Sequence, residues 1–162
     1  MNPGRQAPSL EHLVAVPTYR DQPSTEAADL SGTDLFGQPV SVEVTVAGKL
    51  SLLLFLSSTC EGCRPLWEAA AEPARWGLPA GGVVVAVTQG EQAEDVPALR
   101  RLAPPGTTVV LSEGAWRAYR TQGAPFFALV DGGRRQVVTE GVAWAVGQVA
   151  ADVERAAARG RD

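Results

Sequence analysis

The sequence predicts an α/β fold, a three-layer sandwich in which a central mixed sheet is flanked by helices. Three observations carry that prediction. Two short stretches, Leu50 to Leu56 and Val83 to Val87, are apolar almost throughout, as strands covered on both faces are. A helix-forming segment follows each of them. Near the end, Asp131-Gly132-Gly133 joins two further strand-like runs as a hairpin, which makes the sheet mixed rather than all parallel.

A chain of 162 residues suits one domain with a sizeable core, or one domain plus a tail. Hydrophobic residues make up 45% and charged residues 20%, so the chain is globular rather than disordered. The formal net charge is -4 and Lys and Arg are scattered. That pattern lacks the basic stripe nucleic acid requires and the polybasic segment an anionic membrane attracts. No apolar run approaches the roughly 20 residues a membrane span needs, so no membrane segment is expected in this chain. Met1 to Arg20 carries no continuous apolar stretch, so no secretory signal is read there. The sequence as written therefore predicts a cytoplasmic protein, with a membrane-anchored or exported form behind a missing N-terminus left open.

Residues 1–28 read as an N-terminal tail, with Pro3, Pro8, Pro17 and Pro23 and no sustained period. Its second half is expected to lie over the domain, residues 29–162. His12, the only histidine, is read as a solvated tail residue, because no second histidine exists to share a ligand role. Leu30 to Pro39 contains two glycine turn signals. Val40, Val42, Val44 and Val46 then alternate with Ser41, Glu43 and Thr45, a period-two strand. Leu50 to Leu56 is the central strand. Leu66 to Trp76 is a helix candidate that Pro73 should kink or end. Val83 to Val87 is the second buried strand. Glu91 to Leu102 reads as a helix, with acids early and Arg100 and Arg101 late, in accord with its dipole. Thr107 to Leu111 is a short strand, and Ser112 caps a helix through Thr121. Gly123-Ala124-Pro125 turns into the strand Phe126 to Val130, which the hairpin joins to Arg135 through Glu140. Ala143 to Arg159 closes the chain as an amphipathic helix.

The chemistry concentrates at Cys60-Glu61-Gly62-Cys63, which holds the only two cysteines. It follows the central strand through Ser57-Ser58-Thr59 and opens a helix. The first N–H groups of a helix lack intrahelical partners and, with the macrodipole, favour negative charge. A thiolate there is stabilised and attacks disulfides. Cys60 reads as the exposed nucleophile. Cys63, one turn on, faces it and can resolve the mixed disulfide. The bland alternative is a pair of unreactive core cysteines. A metal site is not expected, since neither a second C-x-x-C nor a nearby histidine completes four ligands. No cofactor is expected either. Trp67, Trp76, Trp116 and Trp144 read mostly as core. Arg64, Arg117 and Arg120 read as solvated.

Strand, C-x-x-C, helix and a downstream Gly123-Ala124-Pro125-Phe126-Phe127-Ala128-Leu129-Val130-Asp131 together resemble the thioredoxin superfamily. Residues 30–159 carry the resemblance. Phe55-Leu56-Ser57-Ser58-Thr59-Cys60 and the segment before the central strand look more like its branch of cytochrome-maturation and methylamine-utilisation accessory proteins. The resemblance implies a thioredoxin-like sandwich and a redox-active Cys60/Cys63 pair. It also implies a cis-proline at Pro125 and substrate contact through Thr59, Ala124 and Pro125. The departures are informative. Thr59 replaces the usual tryptophan, Leu54 replaces a buried aspartate, and Glu61-Gly62 replaces Gly-Pro. Without the aspartate, a water or Glu61 would have to accept the Cys63 proton. Glu61 and Gly62 are the modulating pair, and the Glu61 carboxylate disfavours the Cys60 thiolate, which makes the couple reducing. Peroxiredoxins share the scaffold, but Ser57 and Leu53 stand where they carry threonine and proline.

The expected function is a thiol–disulfide oxidoreductase that reduces a protein disulfide and is recycled by a redox partner. The alternative is a non-catalytic thioredoxin-fold binding or redox-sensing module. The departures point to a specialised protein rather than a general-purpose thioredoxin.

Overall fold

In the computed structural model, residues 19–20 and 26–160 are described; His12 lies outside them. Among these residues eight strands form one mixed sheet. They are β1 (Tyr19–Arg20), β2 (Leu30–Thr33), β3 (Pro39–Val42), β4 (Leu50–Phe55), β5 (Val83–Thr88), β6 (Thr108–Leu111), β7 (Phe126–Asp131) and β8 (Gln136–Val142). Their order across the sheet is β1-β8-β7-β4-β5-β6-β2-β3. Among the described residues the helices are α1 (Arg64–Ala69), α2 (Val96–Leu102), α3 (Glu113–Ala118) and α4 (Val146–Gly160).

β4 lies mid-sheet, parallel to β5 and antiparallel to β7. Successive side chains alternate between faces, and both faces are covered. Leu52 and Leu54 pack with Leu66 and Trp67 of α1, Leu99 of α2 and Val149 and Val153 of α4. Leu53 and Phe55 pack on the other side with Ala115 and Trp116 of α3 and with Tyr119. This is the predicted three-layer sandwich, and it explains why β4 reads as a nearly unbroken apolar run. Each of these strand side chains is fully buried, a contribution of about 1.5–3 kcal/mol apiece.

The N-terminal stretch adds to one edge. Tyr19 and Arg20 pair with Gly141 and Glu140 of β8, and Ala27 donates its N–H to the Arg135 carbonyl at 2.9 Å.

Several elements differ from the sequence-based expectation. Residues 30–33 are a strand, not a turn. Gly32 is there for close packing: a Cβ on it would sit 2.0 Å from the Leu111 carbonyl oxygen. The turn proper is residues 34–38, where the Asp34 carboxylate accepts the N–H groups of Phe36 at 2.8 Å and Gln38 at 3.0 Å. β3 stops at Val42 rather than Val46. Beyond it, the N–H groups of Val44 and Thr45 turn to the Asp29 carboxylate at 2.7 and 3.0 Å instead of a ladder. The helix after the cysteines ends early, as Pro73 suggested, and residues 73–76 form a separate 3-10 turn. α2 starts at Val96 rather than Glu91, because Asp95 caps it through the Ala98 N–H at 3.1 Å and Pro97 fits its first turn. α4 starts three residues late. Gln148 Oε1 accepts the N–H groups of Trp144 at 2.7 Å and Ala145 at 3.3 Å and closes the helix start.

Candidate active site

Cys60 and Cys63 are joined as a disulfide, with their Cα atoms 5.4 Å apart, in the ordinary range for the bond. The two sulfurs differ in access. Cys63 is fully buried in the core cluster that holds Leu54 and Leu66, whereas Cys60 is half-buried at the surface. The pair does not sit in the first turn of an α-helix as expected. Residues 61–63 form a 3-10 turn, and α1 begins only at Arg64. Pro65 is the reason. It lacks the N–H that would reach back four residues to the Glu61 carbonyl, so that carbonyl takes the Arg64 N–H, three residues on.

The loop before Cys60 is held by a residue the sequence reading did not single out. Glu94, buried between β5 and α2, accepts the Ser58 N–H at 2.9 Å, the Ser58 hydroxyl at 2.7 Å and the Ser57 hydroxyl at 3.3 Å. Its other oxygen accepts the Gln89 N–H at 3.0 Å. The Ser58 oxygen in turn accepts the Asp95 N–H at 2.9 Å. One carboxylate thus ties the loop after β4 to the loop after β5. Hydroxyl-rich Ser57-Ser58-Thr59, too short to form an element of its own, was the available signal that a distant acceptor would be needed.

The predicted partner of the pair stands at the same end of the sheet. Phe55 pairs with Phe126, so the chain leaving β4 and the chain entering β7 meet there. The Ala124–Pro125 peptide bond is cis. The Pro125 carbonyl accepts the Ala143 N–H at 3.2 Å, which ties the proline loop to the end of β8. The residue after Ala143 is Trp144, 67% exposed. It corrects the expectation of core tryptophans, which holds for Trp67, Trp76 and Trp116. Thr59, Glu61 and Gly62 are exposed, and a Cβ on Gly62 would meet nothing within 4 Å. Leu54 is fully buried, in the same core cluster as Cys63.

An open groove of about 690 Å³ adjoins Cys60. It is lined by the turn from Ser58 to Glu61, by Arg64 and by Ala98, Arg101 and Leu102 of α2.

The fold is shared with solved structures. A candidate thiol:disulfide interchange protein, DsbE, from Chlorobium tepidum superposes with a TM-score of 0.63 at 21% identity, covering 88% of this chain and all (100%) of that one. A thioredoxin-like protein from Aeropyrum pernix gives 0.60 at 14% identity, covering 78% of this chain and 89% of its own. The chain has the thioredoxin fold. A thioredoxin-family thiol:disulfide interchange protein from Chlorobium tepidum TLS gives 0.59 at 18% identity, over 85% of this chain and 97% of that chain. No protein-family model matches the sequence, and neither does any curated protein. Within the thioredoxin fold, the described residues include no helix long and apolar enough to cross a membrane.

Proposed function

We propose that the protein is a thiol–disulfide oxidoreductase that reduces a disulfide in a protein substrate. The observation that carries this reading is the asymmetry of the pair: one accessible sulfur, Cys60, bonded to one fully buried sulfur, Cys63. An incoming group reaches only Cys60. In the reduced protein, the Cys60 thiolate attacks the substrate disulfide, forms a mixed disulfide and releases one substrate thiolate. The Cys63 thiolate then attacks Cys60, the second substrate thiol leaves, and the protein disulfide re-forms. The two electrons come from the dithiol, which an external dithiol donor must restore. Thr59, Ala124 and Pro125 contact the substrate backbone on the sheet side, and Glu61 and Gly62 modulate the couple.

Glu61 bears on direction. As the immediate neighbour of Cys60 it disfavours the thiolate. Arg64 and Arg101, which line the same groove as Cys60, act in the opposite sense. A reducing couple is expected, nearer to thioredoxin at about -270 mV than to strong oxidants at about -120 mV. Equilibration with a dithiol buffer measures it, and a value at the oxidising end would reverse the direction assigned.

The test of the activity is insulin-disulfide reduction. The wild type turns over, Cys60→Ser does not, and Cys63→Ser accumulates a mixed disulfide. One observation favours a second reading, a binding or sensing module. Leu54, an apolar residue, shares the fully buried cluster that holds Cys63, and the lack of an acid there would slow resolution. A wild-type disulfide that stays unreduced in excess dithiol, with no insulin turnover, would select that module.

A further inference from the structure

The groove beside Cys60 carries information about the substrate. Arg64 and Arg101 reach it from α1 and from α2, and both are exposed. Neither guanidinium makes an ion pair or hydrogen bond to a described residue. Their neighbour Arg100 is committed: its Nε donates to the Leu35 carbonyl at 2.8 Å and its guanidinium lies 5.1 Å from the Phe36 ring centroid. Two uncommitted guanidiniums therefore face an open channel that starts at the accessible sulfur, in a protein whose net charge is -4. Among the described residues Glu61 is the only acid lining the groove, and it is the chain neighbour of Cys60. Ala98 and Leu102 add the apolar part of the lining.

We infer that this groove selects a protein segment carrying Asp or Glu beside its disulfide, with the carboxylates seated on Arg64 and Arg101. The inference rests on the oxidoreductase reading above and names its substrate class. A guanidinium offers a planar fork of donors that matches a carboxylate. Charges at an open rim act more on specificity and encounter than on raw affinity, and such exposed pairs are weak and screened by salt. The redox step is unchanged. The peptide disulfide gains two electrons and two protons and leaves as two thiols, while the Cys60/Cys63 dithiol becomes the disulfide.

The test uses full-length protein, reduced with dithiothreitol and freed of it, in single turnover. Two disulfide-cyclised peptides of equal length are compared, one with two aspartates and one with two lysines beside the disulfide. The acidic peptide is expected to react about tenfold faster at low salt, with the ratio shrinking as salt screens the charges. Arg64→Glu with Arg101→Glu is expected to invert the preference, a readout that general damage to the site would not produce. Equal rates in the wild type, or a preference that survives the charge reversal, would overturn the inference. Glutathione disulfide reacting faster than the acidic peptide would overturn the assignment to a protein segment. If neither peptide nor insulin reacts, the oxidoreductase reading itself falls and takes this one with it.

Discussion

Two carboxylates in this molecule do the same work in different surroundings. Glu94, beside the middle of the sheet, is 8% exposed and gathers the loop that leads into Cys60. Asp29, at the edge, is exposed and gathers the chain leaving β3. It accepts the N–H groups of Val44 and Thr45 and the Thr45 hydroxyl, the last at 3.0 Å. Each replaces ladder hydrogen bonds with one side chain from elsewhere in the chain. The difference is solvent. When a buried acceptor is removed, its donors are stranded; when an exposed one is removed, water takes its place. The active-site loop therefore depends on one residue in a way the edge hairpin does not.

The largest expected effect follows directly. Glu94→Ala strips four hydrogen bonds at once and leaves the Ser58 and Gln89 N–H groups without their acceptor. The expected loss is about 3 kcal/mol in denaturant unfolding, together with slower reduction by a loosened Cys60 loop. Glu94→Gln keeps an acceptor oxygen and should lose less. A loss below about 1 kcal/mol for the alanine variant would put the two carboxylates on an equal footing and break the comparison.

Neither carboxylate was legible in the sequence, whereas most of the sheet was. β4 and β5 announce themselves because burial on both faces requires apolar residues at every position, and Ser112 and Asp131-Gly132-Gly133 signal locally. The Cys60/Cys63 pair and Pro125 are local motifs too, and the structure brings them to one sheet end through the Phe55–Phe126 pairing. Glu94 and Asp29 act over 36 and 15 residues of chain. A single long-range acceptor leaves no periodic trace, so Glu94 was absorbed into a predicted helix and Val44 and Val46 into a predicted strand. Gly32 misled for a related reason. Its missing side chain serves the approach of Leu111 from a strand far along the chain, yet a lone glycine in sequence reads as a turn. The two arginines of the groove lie on different helices, and only tertiary packing makes them one surface.

A smaller effect sharpens the contrast within the buried network. Ser58→Ala removes the hydroxyl that donates to Glu94 and accepts from Asp95, but the Ser58 N–H still reaches the carboxylate. The expected cost is about 1 kcal/mol, measured by the same unfolding experiment. Its effect should be less than additive with Glu94→Ala, because the two share a partner.

The smallest effect belongs to Asp29, and it depends on pH. Burial pushes its carboxyl up, but the bonds from Val44 and Thr45 and the nearby Arg135 charge outweigh that and hold it below the ordinary carboxylate value. A carboxyl depressed on folding contributes stability above its unfolded value of about 4, and that contribution disappears as pH falls through the lower folded value. Asp29→Asn should therefore cost under about 1 kcal/mol at pH 7, because the site is exposed and an amide oxygen can still accept. The gap between variant and wild type should close in acid, where Asp29 itself becomes neutral. Denaturant unfolding at neutral pH and near pH 3 measures both. A gap as large as that of Glu94→Ala, or one that widens in acid, would mean that burial is not what separates the two regions.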